Sequence, residues 1–149
     1  MPLHVSRRAI MRASLAIAGL ASLPQLANAN GETTEGPAPD GLIDIEWKLT
    51  ELAGIDEIVG TAPTLTVRDD GSAGGNTGCN IYFAEAAVSG RRISFSGIGQ
   101  TFIACDDPVM NQEKEFLAAL ELVKGLQLGA ESLDLLDKDD ALLLRFAAS

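Results

Sequence analysis

Histidine is almost missing from this 149-residue chain: His4 is the single example. A Ser-His-acid triad, an imidazole proton relay and a histidine-ligated metal site all need that side chain inside the fold. Cysteine stops at two, Cys79 and Cys105, far outside the Cys-x-x-Cys spacing of thioredoxin-type redox sites. Two thiolates without histidine also leave a zinc site incomplete. Positive charge is scarce as well, with 11 Lys and Arg against 21 Asp and Glu and a formal net charge of −10. That balance opposes binding to nucleic acid or to an anionic membrane, which need clustered basic surface.

What the chain does carry begins with an export pattern. Residues 1–29 hold Arg7, Arg8 and Arg12 and no acid, followed by an apolar run over residues 13–23 with Pro24 behind it. Ala27-Asn28-Ala29 then supplies the small-x-small pattern cut by a signal peptidase, with Asn30 the expected new N-terminus. The apolar run is shorter than the roughly 20 residues a membrane span requires, and no cysteine follows it to carry lipid. Ser6-Arg7-Arg8, Ile10 and Arg12 resemble a twin-arginine signal, with Ile10 where phenylalanine is commoner. A general secretory signal also begins basic, so the two routes stay open. The expected location is periplasmic or secreted, without a membrane anchor. Cleavage would remove His4 and three arginines, leaving eight Lys and Arg and moving the net charge from −10 to −13.

Residues 30–41, NGETTEGPAPDG, have Ala38 as their one apolar residue and read as a flexible leader. The domain is expected over residues 42–149. In LIDIEWKLT, Ile43, Ile45, Trp47 and Leu49 alternate with polar residues, the period-two signature of a half-buried strand. Leu65 and Val67 continue the pattern, and Asp70-Gly71 marks a hairpin turn. Further strands are expected over 81–88, around Ile93 and Phe95, and over 101–105. Three more alternate near the end: Leu126 with Leu128, Leu133 with Leu135, and Leu142 with Leu144 and Phe146. Residues 50–63 read as a long connection.

One segment has a different period. Asp107 suits a helix cap with Pro108 in the first turn, and Val109, Phe116, Leu120 and Val123 share one stripe of the helix expected over 108–124. Glu113 is read as part of the polar face. The order is therefore several strands, one helix and three strands. A single helix cannot cover both faces of such a sheet, so the fold expected is mostly β with one main helix, an α+β arrangement in which a curled, barrel-like antiparallel sheet is plugged by the helix.

The glycine-rich run GSAGGNTG at 71–78 invites a phosphate-loop reading, but it leads into a strand-like sequence and has no lysine beside it. Bulges and tight corners between strands explain it better. Cys79 and Cys105 are expected to form a structural disulfide after export, with two buried free thiols as the alternative. Asn80 is expected to bond backbone in the turn. The acids at Asp69-Asp70 and at 137–140 lack the spaced oxygens and distal glutamate of a calcium loop and fit hairpin turns. The residues thus point to no catalytic, cofactor or metal site.

GNTGCNIYF, then Thr101-x-x-Ala104-Cys105, then EKEFLAAL resemble the META domain family, which includes bacterial HslJ-like heat-shock proteins. Trp47-Lys48-Leu49, Pro63-Thr64-Leu65-Thr66 and the closing residues 142–146 match its layout, so the resemblance spans about residues 45–147. Its motif residues here are Gly78, Cys79, Asn80, Thr101, Ala104 and Cys105, while Ile103 stands where the family often has methionine. The resemblance implies a small cracked β-barrel with a helix, an envelope setting and stress tolerance, and it supplies no catalytic residues. The function expected is noncatalytic: support of envelope integrity through an unidentified envelope protein or apolar ligand. An inhibitor of an envelope or foreign hydrolase is the alternative. An enzyme built on Asp106 and Asp107 is the third reading, weakened because acids at a helix start usually serve as caps.

Overall fold

The computed structural model describes residues 36–149. The expected signal peptide, with Arg7, Arg8, Ala27 and Ala29, lies outside the described residues, as do residues 30–35 of the expected leader.

Eight antiparallel strands run in sequence order around a closed barrel: β1 Trp47–Leu52, β2 Thr64–Val67, β3 Ser72–Asn76, β4 Ile81–Ser89, β5 Arg92–Gln100, β6 Gly125–Leu128, β7 Ser132–Leu136 and β8 Leu142–Ala148. β8 pairs back onto β1, with Leu49 opposite Phe146. The helix α1, Asp107–Leu122, connects β5 to β6. Alternation decides the faces: Leu65 and Val67, Leu133 and Leu135, and Leu144 and Phe146 all point inward and are buried. The helix adds Phe116 and Leu120, and Val123 just beyond its end, to the same core. Phe116 meets Tyr82 edge-on, with ring centroids 5.3 Å apart. The barrel with a single helix expected from the order of elements is the fold observed.

The ring is uneven. β4 and β5 pair along most of their length, whereas β5 and β6 share the one register pair Arg92–Gly125. Only the bonds from Ile93 N–H to Lys124 O, 3.3 Å, and from Leu126 N–H to Arg91 O, 2.9 Å, extend that seam. The helix lies between these two strands in sequence and packs against β5.

Several boundaries differ from the sequence expectation. β1 begins at Trp47 because Asp44 sits at φ 58°, which breaks the extended run that Ile43 would have started. Residues 101–105 are not a strand: side chains, described below, take the place of a ladder partner. The helix is capped one residue earlier than expected, by Asp106, and without a side-chain capping bond. Val109 is only half-buried, and Glu113, expected on the polar face, is buried. The glycine run is itself largely a strand, β3. Gly74 and Gly75 are needed there for close approach, since a Cβ on Gly75 would strike the Thr64 carbonyl and one on Gly74 would lie 2.6 Å from the Tyr82 carbonyl oxygen.

Both acidic runs are turns. Asp70 Oδ1 accepts the Ser72 N–H at 2.8 Å, and Asp137 Oδ1 accepts those of Asp139 and Ala141 at 2.8 and 2.9 Å. The Ser72 side chain and then its N–H lower the Asp70 carboxyl below its ordinary value, and the Ala141 and Asp139 N–H groups lower that of Asp137. The described end of the expected leader is tied to the barrel, with the Gly90 N–H donating to Gly36 O at 2.9 Å.

Candidate functional site

Large apolar side chains that remain in solvent are the first indication of a site. Phe102 is 89% exposed, Ile81 66%, and Phe83 and Ile103 60% each. Two of the five phenylalanines are thus held outside the core. Phe102 and Ile103 stand on the 101–105 loop, and Ile81 and Phe83 on the outward face of the strand beside it. Phe83 lies over Gly99 of β5, where a Cβ would collide with its ring.

The loop that carries Phe102 is fastened at Thr101, Ile103 and Cys105. Thr101 N–H donates to Ile81 O at 3.0 Å, and Ile81 N–H to Thr101 Oγ1 at 3.1 Å. Asn80 then reads both sides of the Ile103 peptide group. Its Oδ1 accepts the Ile103 N–H at 2.6 Å and its Nδ2 donates to Ile103 O at 3.1 Å. Cys105, at the loop's end, is joined to Cys79, with Sγ atoms 1.98 Å apart. Asn80 does bond backbone, as expected, but across 23 positions of sequence rather than within its own turn.

Beneath this loop lies a buried polar cluster. Glu113, 3% exposed, accepts from Asn80 Nδ2 at 3.1 and 2.9 Å on its two oxygens, and from the Thr77 hydroxyl. Thr77 Oγ1 in turn accepts the Asn80 N–H at 2.8 Å. Next to Glu113 on the helix, Gln112 grips the backbone of Val59 from both sides, accepting its N–H at 2.8 Å and donating to its carbonyl at 3.1 Å. Gly78, at φ +100°, permits the corner, since a Cβ there would sit 2.9 Å from Thr61 O. Buried polar groups cost free energy unless bonded. Apart from the Thr77–Asn80 bond inside the corner, these bonds join separate segments, so the helix, the 76–80 corner and the 101–105 loop are locked together.

Glu113 is enclosed and engaged by neutral donors. Asp106 and Asp107, the carboxylates weighed as catalytic, are exposed at the helix start. Among the described residues no group of three or more His, Cys, Asp or Glu side chains could hold a metal ion. None of their helices is long and apolar enough to cross a membrane. Of the motif residues, Gly78, Cys79, Asn80, Thr101 and Cys105 come together at this loop, and Ala104 lies exposed within it. Sequence reasoning missed Gln112, Glu113 and Thr77. The one available signal was two polar residues adjoining the apolar stripe of an otherwise amphipathic helix.

The META domain profile matches residues 40–149. No curated protein sequence matches the chain. Among solved structures, an NMR structure of a protein from Burkholderia xenovorans is similar at 27% identity and a TM-score of 0.58, over 79% of this chain and 96% of that one. A second NMR structure, whose organism is not named, is similar at 18% identity and a TM-score of 0.59, over 74% and 95% of the two chains. A crystal structure of a DUF4847 family protein from Bacteroides vulgatus is similar at 15% identity and a TM-score of 0.53, over 71% and 93%. The last two likenesses concern the fold alone.

Proposed function

The chain belongs to the META domain family, and from that premise we propose that it is an exported, noncatalytic binding protein that supports the cell envelope under stress. Its recognition element is the 101–105 loop. The observation that carries this reading is Phe102, an aromatic side chain 89% exposed on a loop fixed by a disulfide and by Asn80. An apolar group held in solvent marks a contact surface. A loop already fixed in one shape loses little entropy when it docks. Aromatic anchors of this kind tend to dominate binding energy.

Charge narrows the partner. Residues 69–90 and 93–113, which build the loop, its strand and the helix start, contain no Lys or Arg but include Glu85, Asp106 and Asp107. The surface therefore suits an apolar pocket rimmed by basic residues on another protein. A photo-crosslinking amino acid at position 102, used in living cells, tests this. The expected result is one dominant adduct that disappears when Phe83→Ser is added. Adducts spread over many proteins, or unchanged by Phe83→Ser, would refute the assignment. A disulfide-locked projecting loop is also the shape of a hydrolase inhibitor. That second reading predicts that the adduct is a hydrolase whose turnover falls on binding.

A further inference from the structure

The opposite end of the β4–β5 hairpin has the reverse character. Residues 1–29 contain three of the eleven basic residues; of the other eight, four (Arg91, Arg92, Lys124 and Lys138) line one cavity of about 520 Å³ at the β5–β6 seam. A second cavity, about 580 Å³, adjoins it, sharing Arg92, Lys124 and Lys138 and adding Val88 and Ile93. Each cation alone has an ordinary explanation: a turn residue, or a lysine beside a helix C-terminus. Their convergence from three separate segments, in a chain of net charge −10, does not follow from those explanations.

Lys124 is set in place by the backbone. Its N–H donates to Leu136 O at 2.8 Å and its carbonyl accepts from Ile93, so it bridges β7 and β5 at the point where the ladder is thinnest. Lys138 pairs with Asp139 at 2.6 Å, but both side chains are largely exposed, and such pairs exchange readily. Asp137 and Asp140 also line the cavity, yet the Asp137 carboxyl is directed to the backbone of its own turn. Arg91 and Arg92 make other interactions, so the contacts rest on the two lysines. Leu126 and Leu136 in the first cavity, and Val88 and Ile93 in the second, supply apolar wall. A volume of this size suits a drug-sized ligand rather than an inorganic ion.

We propose that the β5–β6 seam binds a small anionic amphiphile, its charged head at Lys124 and Lys138 and its apolar part against the strand walls. Such a head-and-tail ligand could come from free solution or from a membrane lipid, and the test separates the two. Purified protein is titrated with dodecyl phosphate below its micelle concentration, and backbone amide shifts of residues 91–93, 124–126 and 136–138 are followed by NMR. Saturable shifts confined to those segments are expected, and about tenfold weaker binding in Lys124→Gln/Lys138→Gln, with Tm unchanged. Inorganic phosphate should bind far more weakly, and a dodecyl ligand with an uncharged head should not displace dodecyl phosphate. Equal affinity for either control, or for the double variant, would overturn the proposal. Vesicles containing anionic phospholipid should not retain the protein; retention without uptake of the soluble amphiphile would replace the cavity site by membrane-surface adsorption. This site is independent of the 101–105 loop, so failure of one leaves the other standing.

Discussion

Replacing Glu113 with alanine is the most informative single change in this molecule, because sequence and structure disagree about it. Read as part of the helix's polar face, Glu113 should tolerate truncation with a stability change of less than about 0.5 kcal/mol. In the fold it is the acceptor for Asn80 Nδ2 and for the Thr77 hydroxyl. Truncation strands one buried amide hydrogen of Asn80, at roughly 1–3 kcal/mol. The Thr77 hydroxyl has an alternative acceptor in Asn80 O at 3.1 Å, so its loss is small. Removing a buried carboxyl also returns its desolvation cost. The net expected destabilisation is about 2 kcal/mol. Glu113→Gln should cost less than half as much. One oxygen still accepts from Asn80, while the new amide N–H can donate to Thr77 Oγ1 in place of the long 3.3 Å Cys79 N–H bond as the hydroxyl turns to Asn80 O. Denaturant melts give the global value, and hydrogen exchange at the Ile103 amide, bonded to Asn80 Oδ1, gives the local one. Protection there should fall in the alanine variant and persist in the glutamine variant. A cost under 0.5 kcal/mol for alanine, or equal costs for the two, would refute the account of Glu113 as the strut beneath the loop.

Three further outcomes are expected. Phe116→Ala should destabilise by about 3–5 kcal/mol in denaturant melts, because it empties a fully buried site facing Tyr82; a loss under 1 kcal/mol would place Phe116 outside the core. Reducing Cys79–Cys105, which are 26 positions apart, should remove about 3–4 kcal/mol by the chain-entropy estimate and lower Tm while the fold survives; unfolding at room temperature on reduction would contradict that. The Asp137 carboxyl is held below its ordinary value by the Ala141 and Asp139 N–H groups, so its stabilisation is complete above the unfolded-state pKa near 3.9 and is lost as pH falls through the lower folded value. Asp137→Asn should therefore flatten the acid limb of a stability-versus-pH curve below about pH 4, and an unchanged limb would count against this linkage.

The barrel was legible because its strands bury one face each. Alternation at Leu133 and Leu135, or at Leu144 and Phe146, reports that condition directly, and Phe116, Leu120 and Val123 report the helix in the same way. What alternation cannot report is a pairing made by side chains. Residues 101–105 are short and largely apolar and so resemble a strand, yet beyond the Thr101 N–H bond to Ile81 O the backbone of Ile103 is met by Asn80 Oδ1 and Nδ2 rather than by a neighbouring strand. The same blindness hid Glu113. A polar residue one step off the apolar stripe looks solvated until a partner such as Asn80, 33 positions away, is brought against it. Gly74 and Gly75 were legible as unusual but not as strand, because their role is to let the backbones of β2 and β4 approach.

Taken with the disulfide, these details explain how the motif residues act as a set. If export is through the twin-arginine route, the domain folds in a reducing compartment before oxidation. The 101–105 loop must then be placed without its covalent tie. Asn80 and Glu113 can do this alone, because their bonds to Ile103 and to each other need no oxidant. Oxidation afterwards fixes a geometry that already exists, so the bond adds stability without determining where Phe102 points. The order of these events has a consequence for variants. Loss of Cys79 should lower Tm and leave the loop displayed, whereas loss of Asn80 should release the loop even with the disulfide intact. On this reasoning the hydrogen-bonded cluster, not the cross-link, sets the shape of the 101–105 loop.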